Sequence, residues 1–95
     1  MVSVKVEFVG TLRGIVGKKR HEVILDEPAT VGMLFQKLND SLGLKVGILM
    51  DRESMDPRSG ILILVNGKEI NVLDGLGTRL RNHALVTLVP VSHGG

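Results

Sequence analysis

The chain has 95 residues, 43% of them apolar, and a formal charge of +2 with a pI near 9.3. That is one domain with enough apolar content for a core, so a disordered chain is excluded. The absence of cysteine excludes a disulfide framework, a thiolate zinc site, an iron–sulfur cluster and a cysteine nucleophile. With only Phe8 and Phe35 as aromatics there is no stacking platform for bases, and direct nucleic-acid binding is not expected.

The N-terminal Met1-Val2-Ser3-Val4-Lys5 lacks the basic-then-apolar order of a signal peptide. The longest apolar run, Ile61 to Val65, is too short to span a bilayer, so the expected compartment is the cytoplasm and no membrane is involved.

In chain order, Val2, Val4, Val6 and Phe8 alternate with Ser3, Lys5 and Glu7, the period of a half-buried strand. Gly10, Gly14 and Gly17 punctuate what reads as a loop, and Lys18-Lys19-Arg20 as a solvated turn. From His21 to Leu25 the alternation resumes, with Val23 and Leu25 on one face and Ile24 on the other, which predicts a hairpin with the first strand. Pro28 then breaks the extended run and Thr30 is placed to cap a helix. Val31, Leu34, Phe35, Leu38 and Leu42 form one apolar stripe at helical spacing, and Gly43 is placed to end it.

Lys45 to Gly60 reads as a loop, in which Ile48-Leu49-Met50 forms a short turn or strand. Ile61 to Val65, apolar on both faces, has the pattern of an interior strand. Asn66-Gly67 is a hairpin-turn signal, followed by a short return at Lys68-Glu69-Ile70 and a compact turn region from Leu73 to Thr78. Leu85 to Val89 is the final strand. The predicted division is a domain over residues 1–89 and a flexible tail over 90–95.

Strand, strand, helix, strand, short strand, strand is the order of an α+β β-grasp fold, a mixed sheet of about five strands crossed on one face by one main helix. One helix covers one face only. Ile24, Leu62, Leu64, Leu85 and Val89 are predicted to point away from it, leaving an apolar patch of the kind that marks protein interfaces unless the Lys45–Gly60 segment folds over it.

Val6-x-Phe8 with Arg13 and Gly17, Val65-Asn66-Gly67-Lys68-Glu69-Ile70, and Gly75-Leu76-x-Thr78-x-Leu80 follow one another in the order seen in MoaD/ThiS-type sulfur carriers. Over nearly its whole length the chain resembles these ubiquitin-like proteins, particularly archaeal MoaD-like proteins and the ubiquitin-related modifier. It departs from MoaD at Asn82-His83-Ala84, where that group has Asp-Gly-Asp, and at Val89-Pro90-Val91, where it has Phe-Pro-Pro. The ending Ser92-His93-Gly94-Gly95 is closer to the ubiquitin-related modifier, so the departures weaken a pterin-specific assignment more than the carrier assignment.

The resemblance implies that Gly95 is the reactive residue, adenylated by a MoeB-like activating enzyme using ATP and magnesium and then converted to a thiocarboxylate. The expected role is the small subunit of molybdopterin synthase in molybdenum cofactor biosynthesis, with a MoaE-like large subunit supplying the catalytic residues. This chain would then be carrier and co-substrate, with no permanently bound cofactor. The other reading is a ubiquitin-like modifier joined to target-protein lysines, or a sulfur donor for tRNA thiolation.

Chemistry agrees with such a terminus. A C-terminal carboxylate has a pKa near 3.5, is anionic at neutral pH and needs activation before a sulfur nucleophile can attack it. Gly95 has no Cβ to hinder its carbonyl, and Gly94 adopts backbone conformations closed to other residues. By itself a terminal Gly-Gly reads first as a frayed chain end; directly after the last strand of this pattern it becomes an activatable terminus. From Pro90 the tail extends at most ~20 Å. Leu64, Leu85, Val89, Pro90, Val91 and His93 are the predicted partner contacts. His21, His83 and His93 lack metal-ligand spacing, no metal is expected, and Ser41, Ser54 and Ser59 have no base or oxyanion context.

Overall fold

The structure is a computed structural model and describes residues 1–42 and 60–91. Gly43 as the helix stop, the Lys45–Gly60 loop with its covering role, Ser54, Ser59, and the tail residues His93, Gly94 and Gly95 therefore lie wholly or largely outside the described residues.

Strand β1 (Val2–Phe8) is followed by helix α1 (Thr11–Val16), β2 (Arg20–Leu25), α2 (Val31–Leu42), β3 (Ile61–Val65), β4 (Lys68–Glu69) and β5 (Ala84–Pro90). Two single-turn 3₁₀ segments, Ile70–Val72 and Gly75–Gly77, lie between β4 and β5. The sheet runs β2-β1-β5-β3-β4, with β1 and β5 parallel and the other pairs antiparallel. This is the β-grasp arrangement, and it puts the last strand in the middle.

The alternation of β1 works as read. Val4, Val6 and Phe8 are completely buried, while Lys5 is exposed and Glu7 half-buried on the opposite face. Along α2, Val31, Leu34, Phe35 and Leu38 lie wholly inside, and Leu42 packs at the margin. Thr30 caps the helix by accepting a hydrogen bond from the Met33 N–H at 3.2 Å. At the β3–β4 turn Asn66 and Gly67 have φ of 49° and 86°, the pair of left-handed conformations that an Asn-Gly hairpin turn requires.

Two expectations change. The Gly10–Gly17 stretch is not a simple loop, because α1 occupies most of it. Leu12 and Val16, one helical turn apart, are buried, and that gain outweighs the cost of Gly14 in the helix interior. The chain enters α1 through Gly10 at φ 62° and leaves through Gly17 at φ 90°, whose N–H donates to Arg13 O at 2.8 Å. Second, the last strand extends past Val89 in register with Ile61, through Pro90, and the Val91 N–H donates to Gly60 O at 2.7 Å. Proline is tolerated there because it sits at the strand's end, where its missing N–H breaks no interior ladder.

Candidate docking face and tail exit

Parity along the two strands decides which side chains gather. On β5, Ala84, Val86 and Leu88 are buried beneath the helices, so Leu85, Thr87 and Val89 point to the helix-free face. On β3, Ile63 and Val65 are buried, which puts Leu62 and Leu64 on the same outer face. Register then makes neighbours of them: Leu62 stands opposite Val89 and Leu64 opposite Thr87. Leu85 is 36% exposed, and Leu62, Leu64 and Val89 are partly exposed. The predicted contacts Leu64, Leu85 and Val89 thus form one apolar cluster with Leu62, carried on two adjacent strands.

Polar neighbours bound the cluster. Lys5 on β1 lies opposite Leu85, Glu7 lies opposite Thr87 and pairs with Arg20 at 3.2 Å, and Glu69 on β4 lies opposite Leu64. An apolar centre with a charged rim is the composition of a protein docking patch. Ile24 points to the same side, but it stands on edge strand β2 opposite Ser3, beyond Lys5 and Glu22, and is not part of the cluster.

Pro90 and Val91 sit at the exit. Pro90 has the parity of the buried residues, not of the outer cluster, and its Cγ would lie 3.5 Å from a Cβ on Gly10. A Cβ there would make only ordinary contact with Pro90, so it is the φ of 62° that calls for glycine at the entry to α1. Val91 is 42% exposed. Its N–H is held by Gly60 O, and the five residues from Val91 to Gly95 can span at most about 17 Å.

Asn66 contributes more than turn geometry. Its side-chain Oδ1 accepts from the Leu85 N–H at 2.9 Å and its backbone N–H donates to Leu85 O at 2.8 Å. The hairpin turn thereby fixes the start of β5 and the position of Leu85. The Asn-Gly pair was the only sequence signal for this contact.

Of the histidines, His21 is half-buried and its Nδ1 accepts from Lys18 Nζ at 3.2 Å. Loss of solvation, and then the Lys18 charge, hold its pKa below the ordinary value of 6.5. Among the described residues no group of histidines and acids could hold a metal ion, and no helix is long and apolar enough to cross a membrane.

The profile of the ubiquitin-related modifier family, Urm1, matches residues 3–95. This chain belongs to the Urm1 family. Small archaeal modifier protein 3 of Haloferax volcanii is 30% identical over 94 residues, covering 99% of this chain and all of that protein. Ubiquitin-related modifier 1 of Saccharomyces cerevisiae is 32% identical over 101 residues, with both chains covered completely. Among solved structures, SAMP1 of H. volcanii superposes with a TM-score of 0.82 at 22% identity, covering 98% of this chain and 99% of that one, a likeness of fold. Membership in the Urm1 family makes the chain a ubiquitin-like sulfur carrier or modifier with the β-grasp fold.

Proposed function

We propose that this Urm1-family protein carries sulfur as a thiocarboxylate at Gly95, and that the outer face of β3 and β5 docks it on the enzyme that activates it. One observation carries the reading. The strand that leads into the tail is also the strand that supplies Leu85 and Val89 to the apolar cluster, so body and tail address one partner together.

In the proposed reaction the Gly95 carboxylate oxygen attacks the α-phosphorus of ATP, with magnesium held by the activating enzyme, and pyrophosphate leaves. A persulfide on the partner then attacks the acyl carbon of the mixed anhydride and AMP departs; a second partner thiolate cleaves the resulting acyl disulfide, forming a partner disulfide and leaving the thiocarboxylate. The chain's own residues bind and present. Leu62, Leu64, Leu85 and Val89 bury against the partner, the Val91–Gly60 bond sets the point of departure, and Gly94-Gly95 offers an unhindered carbonyl.

The proposed fate of the sulfur is donation to tRNA, and the proposed other use of the activated terminus is to acylate lysines of target proteins. The Val65–Ile70 and Gly75–Leu80 segments, which resemble MoaD, support a second reading as the small subunit of molybdopterin synthase beside a MoaE-like large subunit. Intact-mass measurement of protein isolated from its own cells tests the carrier reading, and a terminal oxygen replaced by sulfur is the expected result. Replacing Gly95 with Val should leave the thermal midpoint unchanged and abolish adenylation; unimpaired adenylation rules out the role given to Gly95. Isopeptide adducts lost on deleting Gly94-Gly95 would assign the modifier role, and co-purification with a pterin-binding subunit the molybdopterin role.

A further inference from the structure

At the far side of the sheet from β3 and β4, β2 is an edge strand. The Phe8 N–H donates to Lys19 O at 2.9 Å, and with the observed register the alternation of antiparallel bonds directs the backbone groups of His21, Val23 and Leu25 toward β1. Those of Arg20, Glu22 and Ile24 point the other way, and among the described residues nothing pairs with them. Beside this edge a groove runs between β2 and α2. Its floor is His21, Val23, Leu25 and Met33, of which Val23 and Leu25 are buried. Among the described residues its rim carries Glu22, Asp26 and Asp40 against Lys37, and Lys18 reaches His21 on the floor. The Met1 amine also borders it but is turned to Glu27 at 3.5 Å, and the lowered pKa of His21 leaves that ring neutral at pH 7. Among the described residues, a chain of formal charge +2 thus sets three carboxylates around this groove against the ammonium groups of Lys37 and Lys18.

We propose that the β2 edge binds an extended segment of a partner protein by strand addition, and that this segment alternates apolar and basic residues. Strand addition satisfies the N–H and C=O groups of Arg20, Glu22 and Ile24, which have no partner among the described residues. Period-2 alternation sends every second side chain over Val23 and Met33 and the others toward Glu22. The excess of carboxylates selects the basic class of segment and disfavours an acidic one. This edge is separate from the β3–β5 face, so a partner here leaves the tail and its docking face free.

Hydrogen exchange on the full-length ¹⁵N-labelled protein, alone and with a synthetic blocked hexapeptide Lys-Val-Lys-Val-Lys-Val, tests this. Without peptide the Glu22 and Ile24 amides should exchange freely while the Val23 amide, bonded to β1, is protected. With saturating peptide the Glu22 and Ile24 amides should slow at least tenfold. The same peptide with Glu for Lys should bind at least tenfold more weakly, and the variant combining Glu22→Lys, Asp26→Lys and Asp40→Lys should reverse that preference. Protection of Glu22 and Ile24 in the free protein would overturn the proposal, since the chain itself would then cover the edge. Peptide-induced shifts on Leu64 and Val89 in place of β2, or equal binding of the Lys and Glu peptides, would overturn it as well.

Discussion

Asn66 joins three roles in one residue: a positive φ, the turn between β3 and β4, and a side-chain acceptor for the Leu85 N–H. Replacement by Ala removes the acceptor and strains the turn, and should cost about 1–2 kcal/mol; Asp keeps the acceptor and should cost less. Urea denaturation of the two variants measures the difference. His21 gives a second prediction at this scale. Its folded pKa is lowered, so the unfolded chain takes up a proton first as the pH falls. The stability it confers is complete above about pH 6.5 and is lost as the pH drops through that value toward the lowered folded pKa. Between pH 7.5 and 5.5 the urea midpoint of the native protein should fall more steeply than that of His21→Gln. Parallel curves would show that Lys18 and the groove floor do not act on His21 as described.

At the scale of elements, the strongest sequence signals were periodic. The stripe of α2 and the alternation of β1 became buried faces because each repeated its period several times, which a turn residue or a single charge cannot mask. Helix α1 was hidden for the opposite reason: two buried positions, Leu12 and Val16, stand among three glycines that read as loop punctuation. Leu12→Ala separates a helix that belongs to the core from a loop resting on it. A loss of about 2–5 kcal/mol is expected for the core helix, and a loss below ~1 kcal/mol would mean that the site collapses or was never packed. The outer cluster is tested by Leu64→Asp and Val89→Asp. Both side chains are partly exposed and point away from the helices, so the thermal midpoint should hold while affinity for the activating enzyme falls at least tenfold. Unfolding by either change would place these residues in the core instead.

For the whole molecule, strand order and the central place of β5 were legible because a crossover helix after a hairpin leaves few topologies. The docking face was legible in part. Counting alternate residues found Ile24, Leu62, Leu64, Leu85 and Val89 on the outer face, but membership of the cluster depends on register, which set Leu62 opposite Val89 and left Ile24 beyond Lys5 and Glu22. Pro90 was read as tail because proline usually ends a strand. Its pairing with Ile61 and closeness to Gly10 arise between segments distant in sequence, where no local pattern announces them. The acidic groove beside β2 was likewise invisible in a chain whose overall charge is positive, since net charge says nothing of where carboxylates gather once the chain folds.

The central position of β5 also has a mechanical consequence. A conjugate or partner pulling on Gly95 transmits its load into a strand bonded along both sides, to β1 in parallel and to β3 antiparallel. Force directed along that strand must shear two ladders together, whereas a tail leaving an edge strand would let a single ladder peel open one bond at a time. Tethered through Gly95, the domain is loaded in shear, the geometry in which its two ladders resist together.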